Sequence, residues 1–462
     1  MATTDSDPPI AVSETSSPAG AGPETIVDLT AAQGAAAAEV APEILAQSLG
    51  GYVRASWQRV KSGDSGVLPV LLGIVVVAVA FQFANAKFLS AQNLVNLFEQ
   101  SSIYMLLAMA EIFILLLGEI DLSVGLVMGL GAVVVAELVQ PGAPASCALC
   151  THGFALPWWL AIIVALLICA AVGAVQGTMV ARLKMPSFIV TLGGLLVLEG
   201  AAIIVLHGGA VSIGNSLYNN QQVLYDLFWG KFSPIVSWIL FAVVMVATAV
   251  YFLYRDTGRR RRGLVAPPLS LTVAKIVLVA AAGIVVIALC NVNRAHAGVI
   301  EGLPYLIPIV LVVLFLSTIL LQRTRFGRYV YAIGGNPEAA RRAGVSLAGI
   351  RTWSFVLAAL VSGVAGILFA SWQVSVTTNI IKSANSYVLL AIAAAVIGGT
   401  SLFGGRGRTI HGILGGLMIG GIYNGLYLIG VASEWIDIVV ALVLLAAGTI
   451  DVLSRRGAQR RA

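Results

Sequence analysis

The sequence predicts an all-α, polytopic membrane protein, a bundle of about 10–12 transmembrane helices in which some helices are short or broken. Of its 462 residues, 59% are hydrophobic and 10% are charged, whereas about a quarter of the residues of a soluble protein are charged. The apolar residues form long runs without a polar face, such as 161–175 and 438–447. Helices that are apolar on all sides need lipid or a large protein core around them. The 49 glycines suit closely packed membrane helices.

Twelve segments are candidate spans, although a count of ten or eleven is also compatible with the pattern. They are 68–84, 103–117, 124–138, 158–180, 188–206, 235–254, 271–290, 305–321, 353–372, 388–403, 411–430 and 435–453. A helix that crosses the hydrocarbon core needs about 20 residues, and the second, third and tenth segments are shorter than that.

The basic residues predict the orientation. If residue 1 is cytoplasmic, Lys87, Lys231, Arg294 and Lys382 are the only four of the 27 Lys and Arg residues that fall outside. Short cytoplasmic loops carry an excess of Lys and Arg, so this distribution predicts that both termini are cytoplasmic. A basic chain can also indicate nucleic-acid binding, but here the charges punctuate apolar runs, and no nucleic-acid partner is expected.

The composition divides the chain into four parts. Residues 1–50 contain seven acids and no Lys or Arg, and we expect a disordered acidic tail because this segment has little apolar surface to bury. Residues 51–67 form a basic juxtamembrane segment, 68–453 the membrane domain, and 454–462 a basic C-terminal tail.

The segment Gly118–Gly125 places Glu119, Asp121, Ser123 and Gly125 between two short apolar runs. Carboxylates beside the hydrocarbon layer are costly unless they face water, a partner or a cavity. One interpretation is a broken helix whose exposed backbone and polar side chains line a translocation path. The other is a tight turn between two spans, with its acids in the headgroup region.

The loop 322–352 contains a short helix that is capped at both ends. Asn336 is a favourable N-cap, Pro337 fits the first helical position, and Glu338 lies where the helix dipole is positive. Gly344 can adopt the left-handed conformation that ends a helix. Such a helix at the membrane surface either docks a soluble partner or is a stable loop without one. The residues assigned to this element are Gly334, Gly335, Asn336, Pro337, Glu338, Ala339, Ala340, Arg341 and Gly344.

A glycine-rich stretch follows residues 391–397 and contains Thr400 and Ser401. Glycines and hydroxyls near the end of a span permit either close helix packing or unwound backbone. Thr400, Ser401 and the more distant Asn424 are therefore further candidates for the translocation path.

The sequence offers no catalytic constellation. It has no GxxxxGK[ST] phosphate-binding loop and no HExxH motif. Cys147 and Cys150 form a CxxC pair that fits an ordinary loop better than a metal site. We therefore expect no catalytic residue, no metal and no cofactor.

Four stretches resemble the permease subunits of bacterial ABC importers for monosaccharides, and the xylose branch is the most similar. They are GEIDLSVG at 118–125, KMPSFIVTL at 184–192, FGRYVYAIGGNPEAARRAG at 326–344 and AIAAAVIGGTSLFGG at 391–405. The resemblance extends over about 68–456. This chain departs from the family at 387–390, where relatives usually carry acids.

The resemblance implies a multi-pass protein of the bacterial inner membrane that contacts lipid and imports a monosaccharide, most simply a xylose-type pentose. It implies a homodimer, a separate ATPase dimer and an extracytoplasmic sugar-binding protein, with 336–344 as the helix that couples to the ATPase. The alternative is an ion- or proton-coupled secondary transporter that acts alone. That alternative requires acids inside the spans, and the pattern indicates few, namely Glu199, Glu119 and Asp121.

Overall fold

A computed structural model describes residues 67–140, 154–207, 209–213, 219–263, 268–295, 298–443, 445 and 449. The predicted segments 1–50 and 454–462, nearly all of 51–67, and Cys147 and Cys150 lie outside the described residues. The part that is described is almost entirely helical, as the composition predicted.

Fourteen helices have defined bounds in this part of the chain, and helical backbone follows over 433–443. They are α1 Leu68–Ala84, α2 Ala91–Leu115, α3 Val124–Val139, α4 Trp158–Arg182, α5 Ser187–Val205, α6 Asn219–Trp229, α7 Pro234–Arg261, α8 Leu269–Asn291, α9 Leu306–Arg323, α10 Arg325–Gly335, α11 Pro337–Arg342, α12 Leu347–Gln373, α13 Thr378–Ile397 and α14 Thr409–Leu428. Two short strands, β1 Ala210–Ser212 and β2 Ser375–Thr377, pair antiparallel with Val211 opposite Val376.

Eight helices in the described residues are long and apolar enough to cross a membrane: α2, α4, α5, α7, α8, α9, α12 and α13. The shorter α1 and α3 are also apolar. The chain is therefore a polytopic all-α membrane protein, which confirms the predicted fold class.

Two predicted spans had the largest boundary errors. Helix α2 begins at Ala91, twelve residues before the predicted 103–117, and α13 covers Thr378–Ile397 where 388–403 was predicted. Both helices contain polar turns that an apolar criterion rejects. In α2 those turns are buried by protein, as Asn93, Glu99 and Ser101 show. The helices α6 and α10 were not predicted.

Helix α2 is the centre of the bundle. Every residue from 101 to 117 is buried, and α12, α13 and α14 pack around it. Close helix approach depends on glycine here, because a Cβ on Gly416 of α14 would lie 2.5 Å from the backbone nitrogen of Met105. By contrast, α7 and α8 are mostly exposed and leave apolar surface for lipid.

The structure divides into two compact units. Residues 250–276, within the described ranges, form a small unit, and the remaining described residues form the large one. In the small unit, the hydroxyl of Thr272 donates a hydrogen bond of 2.6 Å to the Asp256 carboxylate, which joins the end of α7 to the start of α8. All the sequence-predicted site residues belong to the large unit.

Candidate functional site

The segment 116–123 interrupts the helical backbone between α2 and α3. Backbone N–H groups at membrane depth need partners, because lipid supplies none. Here side-chain oxygens accept from four consecutive N–H groups. The bonds run from Ile120 to Ser187 Oγ (3.3 Å), from Asp121 to Glu111 Oε1 (3.2 Å), from Leu122 to Thr191 Oγ1 (3.0 Å) and from Ser123 to Asp121 Oδ1 (2.7 Å). The turn is therefore an ordered structure in which side chains satisfy the backbone N–H groups of residues 120–123.

Asp121 and Ser123 lie in the interior of this turn. Both are buried, and the Ser123 hydroxyl donates to Asp121 Oδ1 at 2.6 Å and lies 3.1 Å from Gln176 Oε1. Gly125 follows in the first turn of α3, where a Cβ would collide with the carbonyl oxygen of Ala384 on α13. The start of α3 therefore contacts α4 at Gln176 and α13 at Ala384.

Glu119 occupies the outer side of the same turn. Its Oε1 lies 3.3 Å from the Arg351 guanidinium, and the two side chains are 17% and 24% exposed. Arg351 belongs to the first two turns of α12, so this half-buried ion pair connects the turn to the long helix that packs on α2.

Four glycines join the turn to α10 and to the loop 398–408, and we call Gly118, Gly334, Gly404 and Gly405 the glycine junction. The Gly405 amide donates a 2.9 Å hydrogen bond to the carbonyl of Leu116. A Cβ on Gly334 would collide with that carbonyl, and a Cβ on Gly404 would lie 2.8 Å from the Gly334 oxygen. Gly118, Gly404 and Gly405 also have φ of 76°, 84° and 71°, a left-handed conformation that favours glycine.

Helix α10 contributes Gly334 to the glycine junction and is itself held in place at both ends. Thr324 caps its N-terminus by accepting from the Gly327 amide, and the buried Val330 and Ile333 form its inner face. The hydroxyl of Tyr331 donates a 2.7 Å hydrogen bond to the carbonyl of Gly407. Gly334 and Gly335 were predicted in the short capped helix. That placement was wrong, because both are the last residues of α10.

Helix α11 is short and mostly exposed. The Asn336 side chain accepts from the Ala339 amide at 3.0 Å, and Pro337 is the first helical residue, as predicted. Gly344 has φ of 81°, its amide donates to the Arg341 carbonyl at 3.0 Å, and the next amide donates to Ala340 at 3.1 Å. This pair of bonds is a Schellman motif, so both ends of the helix are closed.

Charges on α11 follow the helix dipole. Glu338 in the first turn contacts Arg341 at 2.5 Å and Arg342 at 3.5 Å. The hydrogen bond from Arg341 lowers the pKa of Glu338, and the positive charge of Arg341 adds to the effect. All three side chains are exposed, and the surface they form carries both signs of charge.

Thr400 and Ser401 are buried inside the loop 398–408. The Ser401 amide donates to the Arg406 carbonyl at 2.9 Å, and its hydroxyl accepts from the Phe403 amide at 3.1 Å. Thr400 Oγ1 lies 3.4 Å from His411 Nδ1. The two hydroxyls therefore order the loop that carries Gly404 and Gly405.

Asn424 lies apart from this region, in the last turns of α14. Its Oδ1 accepts from Asn93 Nδ2 at 2.8 Å, and its own Nδ2 donates to Gln100 Oε1 at 3.3 Å. The preceding residue, Tyr423, belongs to a group of three stacked tyrosines, in which the Tyr104 ring lies 5.5 Å from Tyr387 and 5.8 Å from Tyr423. These tyrosines lie in apolar stretches and were not predicted as site residues.

Several residues of the site were missed. Ser187 and Thr191 lie in the stretch KMPSFIVTL, and their i, i+4 spacing on an apolar helix was a usable signal. Glu111 was hidden inside an apolar run. The prediction of few interior acids was wrong. Besides Asp121 in the turn, three glutamates are buried within helices: Glu99, Glu111 and Glu137. Among the described residues, no group of three or more His, Cys, Asp or Glu could hold a metal ion.

Comparison with known families decides the class of this protein. Residues 93–448 match the family described as the permease component of branched-chain amino acid transport systems. The chain belongs to this family. It is a multi-pass permease of the bacterial inner membrane, and its relatives are transport proteins rather than enzymes.

Individual relatives of this permease extend over nearly its whole membrane part. The chain is 32% identical to the xylose transport system permease protein of Haemophilus influenzae, over 86% of this chain and 99% of the relative. It is 31% identical to the xylose permease of Escherichia coli, over 86% and 94%. The ribose import permease of Haemophilus influenzae is 28% identical, over 82% and 91%. No solved structure gives a significant match.

Proposed function

We propose that this permease is the membrane subunit of an ATP-driven importer and carries a monosaccharide, most simply a xylose-type pentose, into the cell. In this proposal it forms a homodimer, receives the sugar from an extracytoplasmic binding protein and is driven by a separate ATPase dimer. The family supports the transport role, and the two relatives with the xylose name support the sugar.

The observation that carries the proposal is the connection between α11 and the bundle. A short rod with both ends capped transmits a displacement, whereas an uncapped segment of six residues frays. Helix α11 follows α10 directly, and α10 ends in the glycine junction. Backbone contacts at Gly334 then reach the turn 116–123 and the loop 398–408 without a flexible side chain between them.

In this proposal, the turn 116–123 and the loop 398–408 move together with α11, and they contain most of the predicted path residues. Glu119, Asp121, Ser123 and Gly125 belong to the turn, and Thr400 and Ser401 to the loop that contacts it. A push on α11 would shift turn and loop together, and the rearrangement would open or close the translocation path. Asn424 and its neighbouring tyrosines are the candidates for contact with the sugar, because hydroxyl, amide and aromatic groups suit a polar ring.

The secondary transporter remains the second candidate, because the buried Glu111 could exchange a proton. The importer is the better-supported function. Glu111 Oε1 accepts a hydrogen bond from the backbone of Asp121, which gives this acid a structural task. The exposed, charged and capped α11 would have no task in a transporter that acts alone.

A reconstitution experiment tests the function. The permease would be placed in liposomes with and without a P-loop ATPase and a sugar-binding protein from the same organism, and uptake of radiolabelled xylose, ribose and leucine measured. We expect concentrative xylose uptake that requires both partners and ATP. Accumulation by the permease alone under a proton gradient would establish the secondary transporter. ATP-driven uptake of leucine but not of sugars would overturn the substrate class.

A further inference from the structure

A groove of about 510 Å³ runs along the end of α7, within the small unit. All of its described lining residues lie in the last turns of α7 or directly after them, and they include Val250, Leu253, Tyr254, Gly258, Arg261 and Arg262. Val250 and Tyr254 are 59% and 82% exposed, so the apolar end of the groove is open at the surface of the described chain. None of the site residues described above contributes to it.

The groove has the length and polarity of one lipid leaflet. Residues 250, 254, 258 and 261 recur at helical spacing and lie on one face of α7. The rise of a helix gives about 16 Å from Val250 to Arg261, and half of the hydrocarbon core is roughly 15 Å deep. The sequence along this face passes from aliphatic through tyrosine to arginine, which is the order from bilayer interior to headgroup.

The described residues at the polar end of the groove carry mainly positive charge. Arg259, Arg260, Arg261 and Arg262 are consecutive, and Asp256 is the one acidic residue among the described residues of this unit. The Asp256 carboxylate is occupied by Arg255 at 2.9 Å and by the Thr272 hydroxyl at 2.6 Å. The one acid among the described residues of this unit is therefore engaged elsewhere, and Arg261 and Arg262 present their guanidinium groups to the groove.

We propose that this groove binds one anionic phospholipid. An acyl chain packs on Val250, Leu253 and Tyr254, and Arg261 and Arg262 hold the phosphate. Guanidinium groups bind phosphate through paired, charge-assisted hydrogen bonds. This is a defined site, in contrast to the diffuse attraction of a basic segment to a negative membrane surface. It does not depend on the substrate or on the ATPase.

The binding is measured directly on the purified full-length permease. Delipidated protein in detergent is titrated with dioleoylphosphatidylglycerol or dioleoylphosphatidylcholine, and the retained lipid is counted by native mass spectrometry. We expect one tightly held phosphatidylglycerol per chain and at least tenfold weaker retention of phosphatidylcholine. Equal retention of the two lipids would overturn the proposal.

Two variants separate a site from diffuse attraction. Arg261→Gln with Arg262→Gln removes the two charges and should weaken phosphatidylglycerol binding roughly tenfold or more. Gly258→Trp keeps every charge but places an indole in the groove, and a Cβ there meets no atom of the described residues within 4 Å. We expect a similar loss. Gly200→Trp is the matched control, because Gly200 of α5 also has open space at its Cβ.

The outcomes are distinct. Loss of binding in both groove variants, with the Gly200→Trp protein unchanged, supports the site. Loss in the arginine variant alone overturns it in favour of diffuse attraction. If Gly258→Trp does not yield a monodisperse protein, Gly258→Leu provides the same test with less bulk.

Discussion

The amide of Gly405 donates a 2.9 Å hydrogen bond to the carbonyl of Leu116, and Gly334 packs against both groups. Three segments that are far apart in the sequence therefore meet through backbone alone. A side chain would separate them, and a backbone contact cannot bend away as a side chain does. We infer that this contact is where motion of α11 enters the membrane domain, and the first prediction tests it.

Gly334→Ala should impair coupling. The added Cβ would collide with the Leu116 carbonyl and lie 2.5 Å from the Gly405 nitrogen, and overpacking of this kind typically costs about 1–3 kcal/mol. We expect reduced thermal stability, and sugar uptake that falls more than the amount of protein in the membrane. Gly335→Ala is the control, since a Cβ there meets no atom of the described part of the chain within 4 Å. Equal uptake in the two variants would show that the close contact does not matter.

Replacement of Glu111 distinguishes a structural acid from a proton carrier. Glu111→Gln keeps an oxygen that can accept from the Asp121 amide, so stability and ATP-driven uptake should remain close to wild type. Glu111→Leu leaves a buried N–H unsatisfied and should lower stability by about 1–3 kcal/mol. Thermal unfolding and uptake are measured for both. A well-folded Glu111→Gln protein without concentrative uptake would favour the proton-coupled alternative.

The fold class was predictable because hydrophobicity is summed over whole helices. The position of each helix end was less predictable where polar turns are buried by protein, as at Asn93 and Glu99 of α2. The caps of α11 were predicted correctly, since Asn336 and Gly344 act on their own local backbone. Such local effects are visible in a single stretch of sequence.

The shell of the turn 116–123 could not be predicted in the same way. Its partners Ser187 and Thr191 lie on another helix, about 70 residues away in the chain. Which hydroxyl meets which amide depends on how α5 packs on α3, and no local sequence pattern specifies that packing. The contact between Gly334 and Leu116 has the same origin, because nothing in either local pattern specifies the other segment.

The ion pair between Glu119 and Arg351 should tolerate an exchange of the two residues, with Arg at position 119 and Glu at position 351. Glu119→Arg or Arg351→Glu alone leaves two like charges facing each other and should reduce uptake. The double exchange restores the attraction and should recover part of the activity. A partly exposed pair contributes about 1 kcal/mol or less, and a double-mutant cycle on thermal stability measures this coupling. Additive single effects would show that the two residues do not act together.

Neutral replacements test the role of charge in the same turn. Glu119→Gln combined with Asp121→Asn preserves size and keeps an acceptor for the Ser123 amide and hydroxyl. If charge positions the turn, sugar uptake should fall while the membrane level of the protein stays constant. Uptake equal to wild type would favour a plain turn without a role in transport.

The caps of α11 give the sharpest test of ATPase coupling. Gly344 has φ of 81° and open space at its Cβ, so Gly344→Val acts through backbone strain alone and should cost roughly 1–2 kcal/mol locally. Gly344→Asn is the matched control, because Asn tolerates the left-handed conformation. Glu338→Lys should weaken the helix by a different route, since it places a cation at the positive end of the dipole and beside Arg341.

We expect Gly344→Val and Glu338→Lys to lower the yield of co-purified ATPase or to abolish sugar-stimulated ATP hydrolysis. Because the pKa of Glu338 is lowered in the folded protein, its carboxylate stays charged near neutral pH. Any contribution from its ion pairs is present above the ordinary pKa of glutamate and is lost only as the pH falls through the lowered value. The loss in Glu338→Lys should therefore be constant between pH 6 and pH 8, where roughly all carboxylates of this type are ionised. Wild-type ATPase yield and stimulation in both variants would leave α11 as a loop element without a partner.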